Sequence, residues 1–571
     1  MQPIKFAFLL TACFILLSAT PQLNSFQSEP DVRPITICGS LNDWKTTTRD
    51  TVSQPFLFTN LGEFAFPIST QSIEVQNYFN QGMRLYYGFN HREAFKAFQY
   101  ASKLDPTSAM CWWGQALALG PHINMPMMDS ISSFTAYDAI QKAIALNTKS
   151  QREQDMINAL AARYNKTFTS DRSKLDDAYV AASRNLAIKY PNDADILALA
   201  AEAIMDVHYW DYWEIDGRPK SWTPEIIKKL ETALQIDPKH PGANHFYIHA
   251  VEASKEPAKG LKSAELLQTL MPGAGHLVHM PSHIYIRTGQ YEKGSRSNEQ
   301  AVLADENYFE TSFEEGLYSL AYYPHNYHFL WACRAFEGNY RQAMEAARKV
   351  QSKCSTEWMI TPDYSYLQHL YATPVYTMVQ FGKWQEIIDL DFTHQDQPYL
   401  KGVWQYARGL AFVRMGDITK AMESLENIKK SQTELSIPET AWVNNPLKIL
   451  KIAEKILNAE LNAKLAKKEA AIKLFEEAIQ AEDALRYNEP ADWHKPVRQF
   501  YGAYLISVQE YKRAEEVYQQ DLTMYPENGW SLLGLQQSLK GMKKYKEAEN
   551  IQKRFLKMWM NADTKLASSA F

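Results

Sequence analysis

Half of the chain's 14 histidines fall between His245 and His328. They form three groups: His245-Phe-Tyr-Ile-His249, His276-Leu-Val-His279-Met-Pro-Ser-His283 and His325-Asn-Tyr-His328. Spacings of three and four put the members of each group on one face of a helix. Imidazoles gathered on adjacent helices bind a metal or move protons, and an ordinary helical scaffold needs neither. Glu252 lies three residues beyond His249, so His245, His249 and Glu252 resemble helical histidine–carboxylate sites for zinc or iron. Glu252 fits a ligand, a general base or a plain groove charge. The His-Glu-x-x-His pattern of zinc proteases is absent. Seven imidazoles exceed what one zinc needs, which leaves room for two metals, or for a copper or iron centre with supporting histidines.

The elements that position these residues follow from a repeat. Counting Val75 as position 1, Gly82, Ala94, Phe98, Ala101 and Pro106 fall at positions 8, 20, 24, 27 and 32. That is the small/small/aromatic/small/Pro pattern of a tetratricopeptide repeat of about 34 residues. Small residues let two helices approach, the aromatic fills their seam, and the proline stops the second helix. Ala514, Tyr518 and Pro526 repeat positions 20, 24 and 32 near the C-terminus, and Ala548 restarts the pattern. The expected fold is an all-α, right-handed tetratricopeptide solenoid of roughly ten to twelve helix pairs, with the first helix of each pair lining its concave side. It should run over residues 71–565, with the histidine-rich site at 240–330.

The register bears directly on the histidines. With Pro241 as position 1, His245, His249 and Glu252 take positions 5, 9 and 12. With Gly275 as position 1, His276, His279 and His283 take 2, 5 and 9; with Pro324 as position 1, His325 and His328 take 2 and 5. All seven therefore sit at concave-side positions of three consecutive repeats, whose neighbouring helices pack about 8–10 Å apart. Pro281 could start a helix and leave His276 on a loop. An insertion around Asp305–Tyr323 could cap the site or displace the third helix.

A metal is not the sole reading of these positions. A polar groove can use histidine to hydrogen-bond a peptide, so a protein- or peptide-binding scaffold without metal or catalysis stands as the alternative. A groove that gains charge below about pH 6.5 is a third. The segment Asp206-Val-His208-Tyr-Trp-Asp211-Tyr-Trp213 could supply Asp206 or His208 as further ligands, or wall a pocket with its aromatics; packing at a helix end is its simpler role. Phe98, Trp112 and Trp113 read as seam packing, and Lys464–Lys468 as a solvated helix face. Neither Gly-x-Ser-x-Gly, nor a phosphate loop, nor a dinucleotide fingerprint occurs.

Composition is that of a globular chain, 46% hydrophobic and 22% charged, with a formal net charge of −5. Without a basic excess, nucleic acid is not an expected partner. Lys5, the apolar run Phe6–Leu17 and the small residues Ser18, Ala19 and Thr20 form the pattern of a secretory signal over residues 1–20. Residues 21–70 read as a linker and extended lead-in. A secreted or periplasmic location follows as an expectation, with a lipid anchor at Cys13 of Leu10-Thr11-Ala12-Cys13 as the less favoured alternative. No other stretch is apolar enough to span a membrane. Cys38, Cys111, Cys333 and Cys354 lack Cys-x-x-Cys spacing, which leaves one or two disulfides open but gives no thiolate zinc site.

The blocks Tyr87-Gly-Phe-Asn-His91, His279-Met-Pro-Ser-His-Ile-Tyr285, Pro324-His-Asn-Tyr-His-Phe329 and Pro526-Glu-Asn-Gly-Trp530 resemble those of a family of secreted bacterial tetratricopeptide-repeat proteins. The resemblance spans about Pro55 to Asp563 and implies fold and compartment but no chemistry. That family tends to carry Gly-Pro-Asn where this chain has Gly120-Pro-His122, which makes His122 a secondary candidate. The metal expected at His245, His249, Glu252, His276, His279, His283, His325 and His328 is zinc, copper or iron. Whether it is catalytic, by hydrolysis or by oxygen chemistry, does not follow from the sequence.

Overall fold

The computed structural model describes residues 53–312, 318–361, 364–394, 396–435 and 443–571. The expected signal segment, Cys13 and Cys38 lie outside them. The described residues are all-α, a tetratricopeptide superhelix without strands. Helices follow one another as packed antiparallel pairs, such as Ile73–Tyr87 with His91–Leu104 and Gly529–Gly541 with Tyr545–Met558. None is long and apolar enough to cross a membrane.

The repeat residues do what their sizes dictate. Phe98 is fully buried between Gly82 and Gly114, where a Cβ would lie 2.4 and 2.5 Å from its ring. Tyr518 is held the same way between Gly502 and Gly534. Each seam therefore needs glycine on both sides of its aromatic wedge, and burying such a ring contributes about 1.5–3 kcal/mol. Cys111, Cys333 and Cys354 are buried free thiols.

Two segments of the chain fold back onto the inner helices. The extended lead-in lies along Ile73–Tyr87. Phe66 N–H donates to Asn80 Oδ1 (2.9 Å), Arg84 Nε to the Phe64 carbonyl (2.6 Å), and Gln81 pairs with the backbone of Phe56 and Phe58. The lead-in also reaches the turn just before the histidine-bearing helix Gly275–His279, where Gly273 N–H donates to the Asn60 carbonyl at 2.8 Å. From the other end, the segment after Lys468–Asp483 reaches the histidine helices, and Tyr487 Oη donates to Glu252 Oε2 at 3.3 Å across 235 residues of sequence. Tyr291 Oη to the Pro526 carbonyl (2.8 Å) and Trp530 Nε1 to the Ala335 carbonyl (3.1 Å) hold the last repeats against the middle ones. These contacts bury side chains that the repeat register alone would leave lining an open groove.

Candidate metal centre

Three helical stretches bring the histidines together. Pro241–Val251 carries His245 and His249, with Pro241 preset for the first turn. Gly275–His279 and Pro281–Arg287 carry His276, His279 and His283. Met280 between them has helical φ and ψ of −50° and −35°, so Pro281 interrupts the hydrogen-bond ladder without throwing His276 onto a loop. Tyr323–Phe336 carries His325 and His328. The insertion before it does not displace this helix. Its Tyr318 Oη donates to Asp305 Oδ1 (2.8 Å) and accepts from His276 N–H (3.1 Å), and the Tyr322 ring lies 4.8 Å from the His276 ring. Tyr318 and Tyr322 close one side of the cluster.

Six of the seven histidines form two sets of three, each offering nitrogens within 4.8 Å of one another: His245, His249 and His276, then His279, His283 and His325. In the first set, His245 Nε2 stands 3.1 Å from both His249 Nε2 and His276 Nε2. In the second, His279 Nε2 stands 3.0 Å from His283 Nε2, and the His325 ring is 4.9 Å from that of His279. The sets are neighbours, with 5.5 Å between the His249 and His283 rings and 5.7 Å between His276 and His279. His328 does not join them. Its ring stacks on Trp331 at 5.1 Å and faces His369.

The Nδ1 partners fix which nitrogens are free. His245 Nδ1 faces the Tyr87 carbonyl at 2.7 Å, and His249 Nδ1 faces Glu252 Oε1 at 2.8 Å. His279 Nδ1 faces Asn298 Oδ1 at 2.6 Å, and Asn298 Nδ2 donates to the Gly294 carbonyl, which sets the orientation of that amide. His283 Nδ1 bonds the other oxygen of Glu252. All four partners accept, so each ring's single proton sits on Nδ1 when the imidazole is neutral. Burial does hold His245, His249 and His279 below the ordinary imidazole range, as it does His276, and His325 goes down to about 3. The Nε2 atoms of neutral His245 and His249 are then bare lone pairs in contact, and His279 Nε2 faces that of His283. Two nitrogens about 2.0–2.1 Å from a tetrahedral metal stand roughly 3.3 Å apart, so these separations suit nitrogens converging on a cation. His276 Nδ1 has no partner, which leaves that ring's tautomer open.

Glu252 is buried, with one oxygen on each histidine set. Burial alone would raise its carboxyl, but His283 and His249 outweigh that and hold it below the usual range. It bridges the two sets, and with His249 and His283 it forms a third group of three whose ligand atoms lie within 4.8 Å of one another. Glu489, 3.9 Å from His283 Nδ1, is pushed up by burial and by Glu252.

Aromatic rings seal the cluster. Phe89 lies 4.4 Å from His245 and stacks on His276 at 5.2 Å and on His249 at 6.1 Å; its φ of +58° is rare for a bulky residue. Trp210 meets His249 edge-on at 5.0 Å. Asp206 and His208 are turned elsewhere, Asp206 to Arg163 (2.8 Å) and His208 onto Trp222 (3.7 Å). His122 stacks on His91 at 4.0 Å, across Phe89 from the first set. Phe89, Asn298, Tyr487 and Glu489 are not evident as site residues from spacing. One available signal was the polar run Gly294-Ser295 and Ser297-Asn298 on the buried face of Tyr291–Thr311, where an ordinary repeat places apolar side chains.

No protein-family description matches the chain, and no curated protein does. Among solved structures it is similar to human IFIT1, crystallised as a dimer with m7Gppp-AAAA (14% identity over 86% of this chain and 91% of that one, TM-score 0.31). It is likewise similar to the TPR domain of P58(IPK), at 12% identity over 84% and 98% with a TM-score of 0.22, and to yeast Tom70, at 10% over 85% and 90% with a TM-score of 0.25. At these scores the likeness carries nothing about what this chain binds.

Proposed function

We propose that this tetratricopeptide scaffold is a metalloprotein with a two-metal centre. His245, His249 and His276 hold one ion, His279, His283 and His325 hold the other, and Glu252 orients one histidine of each set. The observation that carries the reading is the convergence of paired Nε2 atoms at 3.0–3.1 Å while the Nδ1 atoms of the same rings face acceptors elsewhere. Nitrogens converging in this way offer a cation two ligands from one helical stretch. An all-imidazole donor set suits copper, zinc or iron and does not suit magnesium or calcium. Three protein ligands leave each ion an open position for water, dioxygen or a substrate group.

A peptide-binding groove without metal is the competing use of the same fold. At the histidines the inner face is filled by the chain's own Phe89, Tyr322 and Tyr487, and every proposed ligand except the half-buried His325 is buried. Little of the cluster is left for a peptide to touch.

The test is elemental analysis by mass spectrometry of full-length protein prepared without chelator or affinity tag, beside a His279→Ala/His283→Ala variant. The reading expects about two equivalents of a transition metal in the first and a loss in the second. Absence of metal from both, even after incubation with zinc, copper and iron salts, would overturn it.

A further inference from the structure

Each histidine set is packed against one phenylalanine whose ring meets all three of its imidazoles. Phe89 lies 4.4, 6.1 and 5.2 Å from His245, His249 and His276. Phe329 lies 4.7, 4.3 and 5.0 Å from His279, His283 and His325. Both phenylalanines are buried, and they reach their sets by different routes. Phe329 follows His325 by one turn on Tyr323–Phe336. Phe89 comes from the turn after Ile73–Tyr87, and its positive φ is one that a bulky residue rarely adopts. Backbone strain of that kind persists where the surroundings fix it, and it gathers at functional sites.

This packing decides what reaches the ions. A hydrolytic centre has to admit an ester, amide or phosphate together with the groups on either side of the bond it cleaves. Here five of the six histidines are buried, and the rings against the cluster are Phe89, Phe329, Tyr322 and Trp210. Dioxygen is small, uncharged and at home in apolar surroundings, so such walls pass it. The donors suit the same molecule, because imidazole is a good ligand for copper. The two sets are also neighbours, with 5.5 Å between the His249 and His283 rings and 5.7 Å between those of His276 and His279.

We propose that the centre is a dicopper site that takes up dioxygen between its two ions. The inference rests on the two-metal reading and names the metal and the substrate class. Each cuprous ion gives one electron and becomes cupric, and the oxygen forms a bond to each ion. The dioxygen gains both electrons and keeps its O–O bond. No proton is consumed, and phenylalanine walls supply none, so removing the oxygen reverses the step.

The test uses full-length protein freed of metal and loaded with cuprous ion under argon, its copper counted by mass spectrometry. Exposure to air should consume about one dioxygen per two copper ions, read with an oxygen electrode, and raise a charge-transfer absorption that fades under argon. The cupric ions should lack the electron-spin resonance of isolated ones, because the shared oxygen couples their spins. Zinc-loaded protein, with no electron to give, should take up none. His325→Ala should keep about one copper and lose oxygen uptake altogether, since one ion alone does not complete the step. Uptake that is merely halved in His325→Ala would mean independent ions and overturn the proposal. Two coppers bound without oxygen uptake, or the full resonance of isolated cupric ions after it, overturns the proposal and leaves the two-metal reading standing. Zinc or iron bound at two equivalents with no copper does the same, and a protein that holds no metal at all ends both.

Discussion

His279 and His283 present Nε2 atoms 3.0 Å apart while their Nδ1 protons are directed to Asn298 and Glu252. His245 and His249 repeat that relationship one repeat earlier, with the Tyr87 carbonyl and the same Glu252 as acceptors. Two helical stretches thus offer the same pair of converging nitrogens, and one carboxylate ties them together.

Glu252→Gln should loosen one of the two sets. A neutral amide accepts through one oxygen, so one of the two histidines loses its acceptor and its fixed tautomer. Metal affinity is expected to fall about 10–100-fold with helical circular dichroism unchanged. Metal titration with a competing chelator reads the change, and unaltered affinity would remove Glu252 from its bridging role.

The two histidines of Tyr323–Phe336 should separate. His325→Ala is expected to reduce metal content by about one equivalent, as a three-ligand site cut to two. His328→Ala removes a ring stacked on Trp331, so it should lower the thermal midpoint and leave metal content intact. Equal metal loss in both variants would mean that His328 reaches the centre after all.

The repeat seams make a prediction free of any metal. Gly82→Ala puts a methyl group 2.4 Å from Phe98, and Gly502→Ala puts one 2.3 Å from Tyr518. Each should cost about 1–3 kcal/mol through overpacking, measured by chemical denaturation. A loss under 0.5 kcal/mol, the scale of ordinary surface changes, would show that the rings can shift.

Lys495 gives the chain a pH dependence of known sign. It is 1% exposed, bonded to Gln499 at 3.1 Å and 3.8 Å from the Trp530 ring. Burial lowers its ammonium to about 7, with Asp521 opposing. Unfolded, the group titrates near about 10.4. Between those values the unfolded chain holds the extra proton, so stability rises with pH, by up to about 1.4 kcal/mol per unit from this group. Denaturation midpoints of the wild type should climb from pH 7 to 9 relative to Lys495→Met, and parallel profiles would refute this.

The repeat was legible because size is local information: Gly82, Phe98 and Pro106 each declare a seam or a stop within one helix pair. The co-registered histidines were legible for the same reason, since position within a repeat fixes the face of a helix. His328 marks the limit of that argument. It occupies position 5 like His279, yet a neighbouring Trp331 gives it an apolar plate to stack on, and it turns away. The role of Glu252 was open in sequence because its second histidine lies 31 residues on, in another repeat. The closure of the groove was hidden further still, because spacing within a repeat cannot tell that Tyr487 returns across 235 residues to meet Glu252. Pro281 does start a helix, but the residue before it keeps helical angles, and His276 stays on the preceding helix rather than on a loop.

The most direct test of the two-metal centre is X-ray diffraction from metal-loaded crystals at the absorption edge of the bound metal. Two anomalous peaks are expected, one among His245, His249 and His276 and the other among His279, His283 and His325, each about 2.0–2.1 Å from its nitrogens. A single peak, or peaks away from these six imidazoles, would contradict the account.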